Sequence, residues 1–417
     1  MQLINKYYIR LYIVILMLYA FFNKGIAYSF LAEILLVTGI FLLFLNRKSI
    51  EILINKQYYI VLFFILISGI YIFTSLLKFP LIDVIRDSLC FQYAWFVLIL
   101  FFFKDESYYI WESIRKIYLW VPLILLLNFV LFNYIFINLP SVNIFGPIHI
   151  LIYKNGDKAV HLFISTILLI LYSEKYSSKL LFINIVLIAL NLLIVLAYSR
   201  SGTLAYLVGI CCFFLFNQKP IQNANLKRVV KFTPIILTIA IGIFLTIRIQ
   251  EDLQGRVAGF SQIKDNLTSI VSTDIDGSLG DNKIWRYVWW LKIINESLQF
   301  QHIFIGKGLG MSLAGAEQLT DGETVRSPHN FHLTILARFG YIVFIIWLYW
   351  LISIFKPLFT KKLTGRKLAI VCILLSFIIN GSFDVFFEGP MGAFPFWTFI
   401  GLLFVEAYHY NPKEIPN

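Results

Sequence analysis

Three short stretches of this 417-residue chain carry side chains able to act on a charged substrate. The first is Tyr198-Ser-Arg-Ser-Gly-Thr203, which holds Arg200 between two apolar runs. A charge so close to a membrane-length apolar run is costly, and it often serves function when it faces the protein interior. A guanidinium there could grip a diphosphate in bidentate fashion. The plainer alternative is an arginine snorkelling from a helix end. The second stretch is Ile284-Trp-Arg-Tyr-Val-Trp289. Taken alone, Arg286 reads as a basic residue on a surface helix, and Arg248, Arg256 and Arg326 compete for its role. The third is Ser327-Pro-His-Asn-Phe-His-Leu333. A histidine can act as a general base near neutral pH or bind a phosphate. Pro328 would stiffen the approach to His329, and Asn330 suits a helix cap. His329 could instead simply cap the helix, and His332, one turn on, is its rival.

Other groups fit weaker chemistry. Gly306-Lys-Gly308-Leu-Gly310 resembles a phosphate loop but lacks the Lys-Ser/Thr pair and the strand-to-helix setting, so a structural turn is the better reading. Asp274-Ile-Asp276 could hold a divalent ion, although two acids fall short of the ligand count that hard cations need. Asp384 and the group Asp83, Arg86 and Asp87 lie beside apolar runs, where they either pair structurally or line a groove. Cys90, Cys211, Cys212 and Cys372 all lie inside apolar runs and read as packing residues.

The elements that must position these residues are membrane helices. Hydrophobic residues make up 59% of the chain and charged ones only 14%, with a mean hydropathy of +0.79. Soluble domains are nearer half apolar and a quarter charged, which excludes a soluble enzyme, a disordered chain and a disulfide scaffold. Forty-one Phe and 23 Tyr suit lipid-facing helices better than a wetted surface. The fold class predicted is all-α: a polytopic membrane protein of about twelve spans, with 1–417 as one membrane domain. The spans fall near 8–22, 27–45, 58–77, 88–103, 117–139, 159–173, 180–198, 203–216, 233–247, 332–355, 368–387 and 393–408. The net charge of +12 does not indicate nucleic-acid binding. Basic residues crowd alternate loops, such as Lys219, Lys227, Arg228 and Lys231, or Lys356, Lys361, Lys362, Arg366 and Lys367. That bias places these loops and both termini in the cytoplasm. One large loop, 248–330, then lies outside between spans nine and ten. It includes an amphipathic helix near 283–298 whose Trp285, Trp289 and Trp290 suggest the membrane surface.

The pattern resembles the O-antigen ligase/polymerase family. Tyr198-Ser-Arg-Ser-Gly202 before an apolar span looks like that family's core signature. The segment from Ile284-Trp-Arg to His302-Ile-Phe-Ile-Gly-Lys-Gly-Leu-Gly310 resembles its large periplasmic loop. Pro328-His-Asn330, with Gly340 after nine intervening residues, resembles its histidine motif. The likeness covers roughly 180–355 well. It implies a glycan transferase of the bacterial inner membrane with its active site at the periplasmic face. The donor would be a saccharide on undecaprenyl diphosphate. The acceptor would be a sugar hydroxyl on a lipid-linked repeat unit (polymerase) or on lipid A–core (ligase). Transfer would invert the anomeric centre, with no metal, nucleotide or other cofactor. His329, Arg286 and Arg200 would be catalytic, and Ser199, Ser201 and Asn330 would join the arginines in binding substrate. Val343, standing where the family usually has Gly, Thr or Tyr, leans the reading toward polymerase.

Two other classes compete. A flippase or transporter for a lipid-linked sugar would want charges deep within several helices and an internal repeat, whereas here charges gather at helix ends. A purely structural membrane subunit would not need ordered Arg, Arg and His motifs.

Overall fold

A computed structural model describes residues 2–45, 58–132, 142–143, 147–148, 153–217, 226–227, 231–246, 262–264, 266, 268, 278–313, 326–360, 363 and 365–410. The helices in chain order are α1 (Gln2–Phe22), α2 (Leu31–Leu45), α3 (Tyr59–Ser75), α4 (Leu81–Gln92), α5 (Trp95–Phe102), α6 (Ser107–Tyr118), α7 (Val121–Leu131) and α8 (Asn155–Leu171). They continue as α9 (Ser178–Tyr198), α10 (Arg200–Phe216), α11 (Thr233–Thr246), α12 (Ser278–Ser297), the single turn α13 (Phe300–Ile303), α14 (Phe331–Thr360), α15 (Gly365–Gly381) and α16 (Pro390–Tyr410). Among the described residues, extended pairing is limited to Val142–Asn143 against Pro147–Ile148.

Where their residues are described, the apolar runs fall on a helix or a pair of helices. Leu3–Ile26, Ser178–Tyr198, Phe331–Thr360 and Pro390–Tyr408 are long and apolar enough to cross a bilayer, and two bent pairs raise the number to six. Leu31–Leu45, Tyr59–Ser75 and Arg200–Phe216 are shorter apolar helices. The chain is a polytopic helical membrane protein.

The bent pairs correct the sequence reading. The runs 88–103 and 117–139, expected as single spans, are each broken, by 47° between α4 and α5 and by 45° between the helices flanking Leu119 and Trp120. Pro122 accounts for the second bend. It has no N–H to offer the carbonyl of Tyr118, four residues back. The buried Ser165 hydroxyl donates to that carbonyl instead, at 2.7 Å.

The helices cluster into two compact units. The first comprises Met1–Leu35, Asp105–Val271 and Lys361–Asn380. Its centre is α8, buried along nearly its whole length. Polar side chains there satisfy backbone groups that hydrocarbon leaves without water. Asn191, for example, donates to the Pro122 carbonyl at 2.8 Å. The second unit comprises Leu36–Lys104, Ser272–Thr360 and Gly381–Asn417. Its core is aromatic. Phe64 stacks on Phe91 at 4.8 Å between centroids, and Trp350 on Trp397 at 5.3 Å. The buried indole of Trp397 finds its acceptor in the Cys90 carbonyl at 2.5 Å.

Candidate functional site

In the second unit, α14 positions the histidine motif, and a glycine breaks that helix. Gly340 adopts φ 78° and ψ 179°, outside any helical conformation. The break frees carbonyls that a continuous helix would satisfy. The amides of Lys307 and Gly308 take their place, donating to Ala337 at 2.7 Å and to Arg338 at 3.0 Å. Gly306 and Gly340, both at positive φ, let the two backbones approach this closely: a Cβ on Gly306 would lie 2.4 Å from the Arg338 carbonyl carbon. The Gly306–Gly310 loop is thus a structural turn that caps a broken helix.

His329 precedes α14 with φ 52°, a left-handed conformation that non-glycine residues rarely adopt. Both flanks are fixed. The Trp290 indole donates to the Pro328 carbonyl at 2.7 Å. Asn330 is the N-cap: its side-chain oxygen accepts from the Leu333 amide at 3.2 Å, and its carbonyl accepts from the Thr334 amide at 3.0 Å. Strain held this way recurs at functional sites. Arg286 lies one turn before Trp290 on the same face of α12. Trp290 thus links α12, which carries Arg286, to the segment that carries His329 and Asn330. Arg286 donates to the Phe383 carbonyl at 3.1 Å. Burial lowers its pKa, with Asp384 pulling the other way.

His332 does not rival His329. The Trp347 indole, a donor only, points at its Nδ1 at 3.1 Å, so Nδ1 accepts and the proton resides on Nε2. Nε2 then donates to the Ser382 hydroxyl at 3.0 Å. Both ring nitrogens are engaged in holding α14.

An ion network secures the segment before His329. Asp87 Oδ2 lies 2.9 Å from Arg338, which is only 2% exposed, and 3.4 Å from Arg326. It also accepts from the Gly310 amide at 2.8 Å. Arg326 reaches Asp83 at 3.3 Å, and Asp83 holds Arg86 at 2.7 Å. Asp83, Arg86 and Asp87 therefore pair structurally. Beside them, Glu388 accepts from the Thr334 hydroxyl at 3.1 Å. Burial pushes its carboxyl above the ordinary range, against the charge of Arg338 and the hydrogen bonds of Ser327 and Thr334.

The Arg200 motif belongs to the first unit. One residue, Ser199, both closes α9 and opens α10. Its amide donates to the Val195 carbonyl at 2.8 Å, and its hydroxyl accepts from the Gly202 amide at 3.1 Å. Ser201 stands 3.3 Å from that hydroxyl, so both serines, expected at the substrate, contribute to the cap. Arg200 is the first residue of α10 and is partly buried. Gly202 packs on the first turn of α8: a Cβ there would lie 2.9 Å from Gly156 Cα and from Ala159 Cβ.

One face of α12 packs on the protein. Trp289 is buried with Ile293, Leu313 and Ala337, and its indole donates to the Leu313 carbonyl at 3.3 Å. Trp289 and Trp290 face the protein, while Ile284, Tyr287, Val288 and Leu291 are exposed. Arg248, Arg256, Asp274, Asp276 and the Trp285 side chain lie outside the described residues. Sequence reasoning missed Arg338, Glu388, Lys158 and His161. The signal for Arg338 was present, as a lone charge inside the apolar run 332–355.

Residues 183–348 match the family model described as O-Antigen ligase. This stretch is similar to the O-antigen ligase family. It encloses Ser199, Arg200, Ser201, Arg286, His329 and Asn330, and leaves out Asp87, Lys158 and Glu388. That match supports, at a coarse level, glycan assembly of the O-antigen ligase or polymerase type. No curated protein matches the chain.

Proposed function

We propose that the protein transfers a saccharide from undecaprenyl diphosphate to an acceptor sugar hydroxyl at the periplasmic face of the bacterial inner membrane, within a twelve-span frame with both termini cytoplasmic. One observation carries this reading. Inside the segment that matches the O-antigen ligase family model, His329 is held in a strained backbone between the Trp290–Pro328 bond and the Asn330 cap, and Trp290 lies one helical turn after Arg286.

In this reaction the acceptor oxygen attacks the anomeric carbon. Its proton passes to His329 as the new glycosidic bond forms. The bond from the anomeric carbon to the diphosphate oxygen breaks, inverting the centre. Negative charge grows on the leaving diphosphate, and Arg200 and Arg286 answer it. Preorganised charge stabilisation of this kind is worth several kcal/mol. Polymerase is the favoured form, with an undecaprenyl-diphosphate-linked repeat unit as acceptor, and ligation to lipid A–core is the alternative.

The test is a clean deletion in the native host, complemented with wild type or with Arg200→Ala, Arg286→Ala or His329→Ala, with surface glycan resolved on a gel. Each variant inserts but fails to restore the glycan. A deletion band with a single repeat unit identifies a polymerase. Loss of attached glycan with long lipid-linked polymer accumulating identifies a ligase. Full activity in all three variants would overturn the transferase reading, and accumulation of unflipped donor would replace it with a flippase.

A further inference from the structure

Lys158 is 1% exposed, and its Nζ has no hydrogen-bond partner among the described residues. Its one near neighbour of note is the Phe129 ring, with Nζ 4.9 Å from the centroid. An ammonium in so dry a place without an acceptor is expensive, by several kcal/mol, and buried charges are ordinarily paired. The adjacent Asp157 is buried as well, and its Oδ1 accepts from Asn380 at 3.1 Å, on α15. His161, one turn along, is engaged through Nδ1 with the Tyr118 hydroxyl at 2.9 Å.

The position of this lysine gives it a use. Lys158 is the fourth residue of α8, and helical side chains lean toward the amino end of their helix. That end packs on the amino end of α10 through the Gly156–Gly202 contact, and Arg200 is the first residue of α10. Phe129, over which Nζ lies, is in ring contact with Tyr198, two residues before Arg200. Two 17-residue helices thus direct their positive dipole ends to one place in the first unit, with a buried lysine beside it whose Nζ has no hydrogen-bond partner among the described residues.

We infer that Lys158 and the amino end of α8 form a phosphate-binding element beside Arg200, taking one phosphate of a polyprenyl diphosphate. This inference rests on the transferase reading above and adds to it a residue outside the family-matched segment. Arg200 with its bidentate guanidinium and Lys158 with its compact ammonium would divide the two phosphates between them. A diphosphate bound there would give the ammonium the partner that the described residues do not.

The test uses the full-length chain in lipid nanodiscs, titrated with undecaprenyl diphosphate and, separately, with undecaprenol. Three variants are compared with wild type: Lys158→Met, Lys158→Arg and Arg200→Ala. Lys158→Met is expected to bind undecaprenyl diphosphate at least tenfold more weakly, to bind undecaprenol unchanged, and to melt at or above the wild-type temperature without ligand. Lys158→Arg is expected to retain most of the affinity. Wild-type affinity in Lys158→Met alongside weakened binding in Arg200→Ala would overturn this inference and leave the transferase reading standing. Wild-type affinity in both would remove both. A lower melting temperature in Lys158→Met, with Lys158→Arg binding no better, would make the lysine a structural residue and overturn the inference.

Discussion

Arg338 in the second unit and Lys158 in the first are buried to nearly the same degree, at 2% and 1% exposure, yet their surroundings differ. Arg338 meets Asp87 at 2.9 Å and the carbonyls of Gly308 and Met311 at 3.3 and 3.2 Å. Every donor direction it uses ends on oxygen, and Asp87 in turn gathers Arg326 and the Gly310 amide. Lys158 has an aromatic ring and no hydrogen-bond partner among the described residues. A satisfied network fixes geometry. Here it anchors Arg326, and with it the chain that leads into His329. A buried amine without a partner is, on the inference above, kept for an anion. The same physics, the high desolvation cost of charge, is resolved internally in one unit and left open in the other.

The contrast can be broken most forcefully at Asp87. Asp87→Ala strands Arg338 as a buried charge and is expected to destabilise the protein by about 3–5 kcal/mol. Denaturant or thermal unfolding in nanodiscs measures this, and a loss below about 1 kcal/mol would deny the network its framing role. Lys158→Met, which removes a charge already unpaired, should show no such loss.

Gly306→Ala comes next. It places a Cβ 2.4 Å from the Arg338 carbonyl carbon at a residue with φ 61°, and is expected to cost about 2–3 kcal/mol. The capping of the Ala337 and Arg338 carbonyls should loosen with it, visible as faster amide exchange at Lys307 and Gly308. Unchanged exchange would mean that α14 is broken by Gly340 alone.

Gly202→Ala tests the other side of the comparison. Its methyl would press on Gly156, costing about 1–3 kcal/mol and prising the amino end of α10 from that of α8. Donor affinity should fall in parallel. Retained affinity would argue that the two helix ends need not touch.

The smallest effect on stability is expected from Trp290→Phe, which deletes the bond to the Pro328 carbonyl for about 1 kcal/mol. Its effect on glycan assembly should be larger than that figure suggests, because His329 would lose one of its two fixed flanks. Normal assembly in this variant would show that the Asn330 cap alone suffices.

Much of this architecture is legible in the residues. The apolar runs anticipate the helices, because a chain crossing hydrocarbon must satisfy its backbone internally. Asn330 is recognisable as a cap, and Gly306-Lys-Gly308-Leu-Gly310 as a turn, because both depend on local backbone chemistry. Pro122 marks a bend by its type, although the apolar run around it reads as continuous. The tryptophans of α12 are less legible: Trp suits a membrane surface and a packed core alike, and only the tertiary structure supplies the Leu313 and Pro328 carbonyls as partners of Trp289 and Trp290.

What the sequence by itself determined is the class of protein, its helical elements and the identity of the arginines and histidine proposed above to meet a diphosphate. These follow from composition, from local periodicity and from the chemistry of single side chains. Tertiary structure alone decided which charges are partnered. Arg326 meets Asp87 across 239 positions and Asn380 meets Asp157 across 223. No local pattern encodes such pairs, because the energy that selects them arises only when folding removes water from both partners at once.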